Sequence, residues 1–136
     1  MLKSLSTLIK VNKAQLDEKR KELAAFLDKK QKCVDEIKAM EDSIKFEAEN
    51  LIKLHEDFRP MFLTYLEATR VREGQLLDEI DKLNPHINRI SDEIREIFSE
   101  VKKFEIVKEN RENELEAELM RKTQMEIDEI AMLNFV

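Results

Sequence analysis

Apolar residues recur along this chain every seven positions, with alternating steps of three and four, which is the pattern of a coiled-coil seam. In the first half one set runs Leu2, Ile9, Leu16, Leu23, Lys30, Ile37, Ile44, Leu51, Phe58. Its companion runs Leu5, Asn12, Lys19, Phe26, Cys33, Met40, Glu47, Leu54. The second half repeats the pattern through Phe62, Leu66, Thr69, Glu73, Leu76, Ile80, Leu83, Ile87, Ile90, Ile94, Ile97, Val101 and Phe104, then Lys108, Arg111 and Leu115. From Leu76 to Phe104 no polar residue interrupts it. Between the halves lies Phe58-Arg59-Pro60-Met61-Phe62. Proline lacks the N–H that a helix interior needs and pushes the residue before it out of helical geometry. The pattern therefore predicts an all-α protein: two long helices in an antiparallel coiled-coil hairpin, the second longer than the first. It is a single domain over 1–136, with arm one at 2–57, the bend at 58–61 and arm two at 61–136. Pro85 and Gly74 fall on the outer face of arm two and do not shift its phase, so the helix is expected to continue through them.

Folding the arms about residue 60 pairs seam positions whose numbers total 120. Ten apolar layers result, among them Leu23/Ile97, Phe26/Ile94, Ile44/Leu76 and Leu5/Leu115. Arms of this length reach roughly 80 Å at 1.5 Å per residue. One layer is poor, because Glu47 faces Glu73. Either it is splayed and wet, or the true register is one heptad longer. The pairing also leaves 120–136 as an overhang without a partner in arm one. Its Met120, Ile127, Ile130 and Leu133 lie on a side that is solvent-facing lower down, so the segment reads either as a frayed C-terminus or, as its apolar content favours, as a surface that docks on another molecule. Met125 and Met132 add flexible thioethers to the same segment.

Composition sharpens this. One glycine and two prolines in 136 residues leave little turn punctuation, so few bends are expected. A net charge of −6 argues against nucleic-acid binding, which needs a basic footprint. The charge is uneven: residues 1–30 hold eight Lys/Arg against four Asp/Glu, a local +4. Lys10, Lys13, Lys19, Arg20 and Lys21 read either as a solvated face or as a basic patch for an acidic partner. No stretch is apolar enough to span a membrane or resemble a signal peptide, and the single cysteine excludes an internal disulfide framework, so a cytoplasmic, monomeric hairpin is expected. No catalytic constellation, phosphate-binding glycine loop or metal-ligand spacing is present, so neither enzyme activity nor a cofactor or metal is expected. His55 and His86 read as surface residues, and Cys33 as a small seam hydrophobe.

Three stretches carry a further likeness: Leu5 to Arg20 (LSTLIKVNKAQLDEKR), Lys102 to Glu109 (KKFEIVKE) and Met125 to Ala131 (MEIDEIA). Together they resemble the FliJ family, the coiled-coil component of the bacterial flagellar type III export apparatus, and its alphaproteobacterial members in particular. The resemblance implies a stalk, similar to the rotor axle of rotary ATP synthases. Such a stalk engages the export ATPase hexamer and the cytoplasmic domain of the export gate, and handles export chaperones, peripherally at the inner membrane. The basic cluster would then face ring or gate, and the overhang would be the engaging tip. Competing readings are a structural spacer or tether, the equivalent injectisome stalk, and, ranked last, a hairpin-tentacle holdase chaperone.

Overall fold

The computed structural model describes residues 2–51 and 58–134. They form two helices, α1 (Leu2–Leu51, 50 residues) and α2 (Arg59–Asn134, 76 residues), with no strand among the described residues. The two helices make an antiparallel hairpin with the second helix the longer. α1 contains neither glycine nor proline, and both helices are rich in Leu, Glu, Lys and Ala, the strong helix formers. Four threonines that would weaken a helix bond back to it. The hydroxyls of Thr7, Thr64, Thr69 and Thr123 each donate to the carbonyl four residues earlier, at 2.8–3.0 Å. Thr69 is buried, and this bond satisfies it there.

The seam is where the core lies. Among the described residues the buried apolar ones are Leu5, Ile9, Leu16, Cys33, Leu76, Leu83, Ile90 and Val101, and every one occupies a predicted seam position. The hydrophobic face of each helix is thus removed from water against the other, which is the main stabilising term for such a fold.

The bend differs from expectation. Phe58 is a 3-10 residue and Arg59, Pro60 and Met61 already belong to α2, so the predicted bend at 58–61 falls on the start of a helix. The physical reason is that a first-turn proline loses nothing, since its missing N–H would have had no helical acceptor. The last part of predicted arm one, 52–57 with Leu54 and His55, lies outside the described residues.

An earlier start to α2 moves the register. The chain forms two compact units, one of 19–93 and one of 1–18 with 94–136. In the first, the Ser43 hydroxyl meets the Tyr65 hydroxyl at 2.7 Å, and the Arg72 guanidinium donates twice to the Glu36 carboxylate at 3.0 and 3.3 Å. Both pairs of residue numbers total 108. Phe26 stacks on His86 with centroids 5.4 Å apart, and Lys19 Nζ lies 2.6 Å from Glu93 Oε2; both pairs total 112. In the second unit Lys13 Nζ lies 3.2 Å from Glu105 Oε1, a total of 118. An alternating three-four repeat allows seam layers only at totals seven apart. A total of 113 fits every pair: the flanking pairs on one side fall five below it, those on the other five above, and the neighbours of the seam one below.

The hairpin is therefore one heptad shorter than the total of 120 predicts. Leu76 falls in the layer of Ile37, Ile90 in that of Leu23 and Val101 in that of Asn12. Glu73 falls beside Met40 rather than Glu47, so the expected clash of carboxylates does not arise. Burial agrees, since Leu5 is buried while Leu115, its partner at 120, is 48% exposed.

Candidate docking site on the terminal helix

The shorter register also lengthens the overhang. Arg111 is the last half-buried residue of α2, and every residue from Glu112 to Asn134 is exposed while the helix continues. The overhang thus begins at 112 rather than 120, and it gains Leu115 and Leu119, which the sequence reading had paired with arm one or left out. The predicted docking residues are all on it and all open to solvent: Met120 68%, Ile127 53%, Ile130 59% and Leu133 76%. At 3.6 residues per turn, Leu115, Leu119, Met120, Ile127, Ile130 and Leu133 fall within about 140° of arc. That stripe is turned only about 60° from the seam it follows, so it is not the opposite face. Met125 and Met132 lie elsewhere on the circumference, away from Met120. The methionines therefore do not form one patch. Helix 112–134 is also strongly acidic, with seven carboxylates against Arg121 and Lys122.

The basic cluster has a different environment. Lys10 is exposed. Lys13 and Lys19 are engaged within the hairpin, on Glu105 and Glu93, and Lys19 also lies 3.6 Å from Glu22. The Lys19 ammonium beside it holds the Glu93 carboxyl below its usual range, and Glu93 in turn raises Lys19. Glu105 is lowered in the same way by Lys13, with Lys102 adding to the effect. Arg20 and Lys21 are exposed and take part in polar interactions of their own. Lys13 and Lys19 are thus each committed to an ion pair across the hairpin, Lys19 half-buried and Lys13 exposed. The sequence held the clue, since Lys19 is itself a seam position and Lys13 the residue after one.

Elsewhere, exposed apolar side chains gather where α2 begins: Phe58, Met61, Leu63 and Tyr65, with Phe46 exposed on α1. A shallow, open depression there is lined by Pro60, Met61, Thr64, Tyr65 and Ala68. None of these described lining residues is charged. Cys33 is buried, and burial, with Glu79 nearby, pushes its thiol above the ordinary value, which suits a packing role. His86 stacks on Phe26 and so covers part of the seam, a contact that its position beside seam residue Ile87 makes legible. Among the described residues no group of three or more His, Cys, Asp or Glu side chains is placed to hold a metal ion, and no helix is long and apolar enough to cross a membrane. No protein-family model matches the chain, and no curated protein or solved structure matches it either.

Proposed function

We propose that this chain is a non-enzymatic coiled-coil stalk of the FliJ kind, serving flagellar type III protein export in the cytoplasm at the inner-membrane apparatus. One observation carries the reading: the hairpin ends in a single helix, 112–134, that leaves its partner arm with an apolar stripe exposed. A helix pair prolonged by one helix suits insertion into a ring, and the likeness at Leu5 to Arg20, Lys102 to Glu109 and Met125 to Ala131 supports reading that ring as the export ATPase. The stalk works by contact alone. Different nucleotide states of the ring present different surfaces to the helix, and only that difference in affinity can transmit a state to the export gate. Chaperone handling uses the same principle on the shaft. Steering by Lys10, Arg20 and Lys21 is part of the proposal, whereas Lys13 and Lys19 serve the hairpin.

The test uses the purified flagellar export ATPase of the same organism. Full-length chain should raise its turnover, and a variant carrying Ile127→Ser and Ile130→Ser should not, with helicity unchanged. Full stimulation by that variant would remove the terminal helix from the reading. Absence of stimulation and binding by the unaltered chain would remove the ATPase.

A further inference from the structure

A slip of one heptad, from the total of 113 to that of 120, exchanges seam layers of similar quality. It trades Met40/Glu73 and Ile44/Thr69 for Met40/Ile80 and Ile44/Leu76, both wholly apolar. In return it sets Arg111 rather than Phe104 beside Ile9, and Lys108 rather than Val101 beside Asn12. The two lysine ion pairs have successors in the longer register. Lys13 would pass from Glu105 to Glu112 and Lys19 from Glu93 to Glu100, each new carboxylate lying one heptad on. Pro60 suits either register, as a first-turn residue in this one and as the bend in the other. What separates the two is charge around Arg72, whose guanidinium here donates twice to Glu36. One heptad on, Arg72 would face Ser43, while Glu36 would face Glu79, Glu22 would face Glu93 and Glu47 would face Glu73. Charges flanking a seam choose between registers that the apolar residues leave open.

We propose that the hairpin slides between two registers one heptad apart, with Glu36, Arg72, Glu47 and Glu73 as the latch that holds the shorter one. α1 and α2 are each unbroken, so a slide at the latch is carried along both helices. The step is one heptad, about 10.5 Å at 1.5 Å per residue. At the other end of α1 it brings Leu115, 48% exposed here, into the layer of Leu5 and returns the start of the overhang from 112 to 120. The latch therefore sets how much of the terminal helix is open to a partner. By the same linkage, a partner that needs Leu115 free favours the latched state, and one that neutralises Glu47 or Glu73 favours the other. The device stands whether or not the terminal helix meets an export ATPase.

A full-length chain carrying Leu23→Cys, Ile90→Cys and Ile97→Cys in a Cys33→Ser background tests it. In a glutathione redox buffer a 23–90 disulfide reports the shorter register and a 23–97 disulfide the longer, and peptide mapping reads their ratio. Positions 90 and 97 are two turns apart on one helix and cannot bond to each other. With the latch intact the 23–90 bond should predominate. Glu36→Lys with Glu47→Lys, both at exposed positions, sets opposite charges against Glu79 and Glu73 in the longer register and like charges at 36 and 72 in the shorter. It should raise the share of the 23–97 bond about tenfold or more, with helicity unchanged. Glu36→Gln with Glu47→Gln should raise it by less. Glu36→Lys with Arg72→Glu restores an opposite pair in the shorter register and should leave 23–90 predominant. Separately, Leu5→Cys with Leu115→Cys should form a disulfide in the Glu36→Lys, Glu47→Lys chain and not with the latch intact. A 23–97 share that neither pair of latch substitutions moves overturns the proposal. So does an equal rise in Glu36→Lys with Arg72→Glu, which would be general loosening, or a 23–97 bond without the 5–115 bond, which would be a slide that never reaches the terminal helix.

Discussion

Ile90 is fully buried, at 0% exposure, and the register places it in the layer of Leu23. Truncation to alanine removes three carbons from that layer. Ile→Ala in a protein core generally costs about 2–5 kcal/mol, the spread reflecting how far the surroundings collapse into the space. In a core one residue wide, flanked by solvent on both sides, neighbouring side chains relax easily, so the lower part of that range applies, about 2–3 kcal/mol. At about 2.1 cal/mol/K of unfolding entropy per residue, a chain of 136 residues melts with about 0.29 kcal/mol/K, so Ile90→Ala should lower Tm by about 7–10 °C. Ile127→Ala is the control. It is 53% exposed and outside the hairpin seam, and alanine is the better helix former, so it should shift stability by no more than about 0.5 kcal/mol. Thermal melts followed by circular dichroism at 222 nm, on samples dilute enough to exclude association, read both. If the two variants melt alike, the division into seam and overhang is wrong.

Two further outcomes follow from the pairs across the hairpin. In a Cys33→Ser background, Leu23→Cys with Ile90→Cys should close an intrachain disulfide under mild oxidation, whereas Leu23→Cys with Ile97→Cys should not, and the opposite result would restore the register totalling 120. The ion pairs set a pH window. Glu93 and Glu105 have lowered folded pKa values, so the stability they supply is complete above the usual carboxylate pKa of about 4.3 and is lost as pH falls through the lower folded value. Lys19 is raised, so its contribution is complete below the usual lysine pKa of about 10.4 and is lost as pH rises beyond its folded value. Tm should accordingly fall at both extremes, and the acid fall should be shallower in Glu93→Gln; an unchanged acid limb would remove that pair from the account.

How much of this was legible in the sequence depended on which question was asked. Which residues face inward is a matter of period alone, and the heptad repeat named Leu5, Ile9, Leu16, Cys33, Leu76, Leu83, Ile90 and Val101 without help from tertiary structure. Even the polar breaks Asn12, Lys19, Lys30 and Glu73 are half-buried as seam residues. The register was not legible, because a repeat of seven looks the same after a slip of seven. Only the place where the chain turns decides it, and Pro60 misled there by being a helix starter. The slip carried through to the far end. It moved the overhang from 120 to 112, and it turned two of the five basic residues into internal partners of Glu93 and Glu105.

Pro85 tests whether the seam or the local backbone governs α2. It lies in the interior of the helix, exposed, with Asn84 before it half-buried, and the helix is unbroken around it. A proline there leaves the carbonyl of Asp81 without its usual donor and crowds that turn. The apolar run from Leu76 to Phe104 spans the site, so packing against α1 holds the helix together against that local cost. If that is so, Pro85→Ala should stabilise the hairpin. Helix propensity favours alanine by about 3 kcal/mol, and the added freedom of the unfolded chain returns about 0.4–1 kcal/mol, leaving about 2 kcal/mol and a rise in Tm of about 7 °C. The substitution touches no seam residue, so the cross-link between positions 23 and 90 should form as before. A lower Tm, or loss of that cross-link, would mean that Pro85 shapes the register rather than being tolerated by it, and the packing of Leu76 to Phe104 could no longer be credited with setting the path of α2.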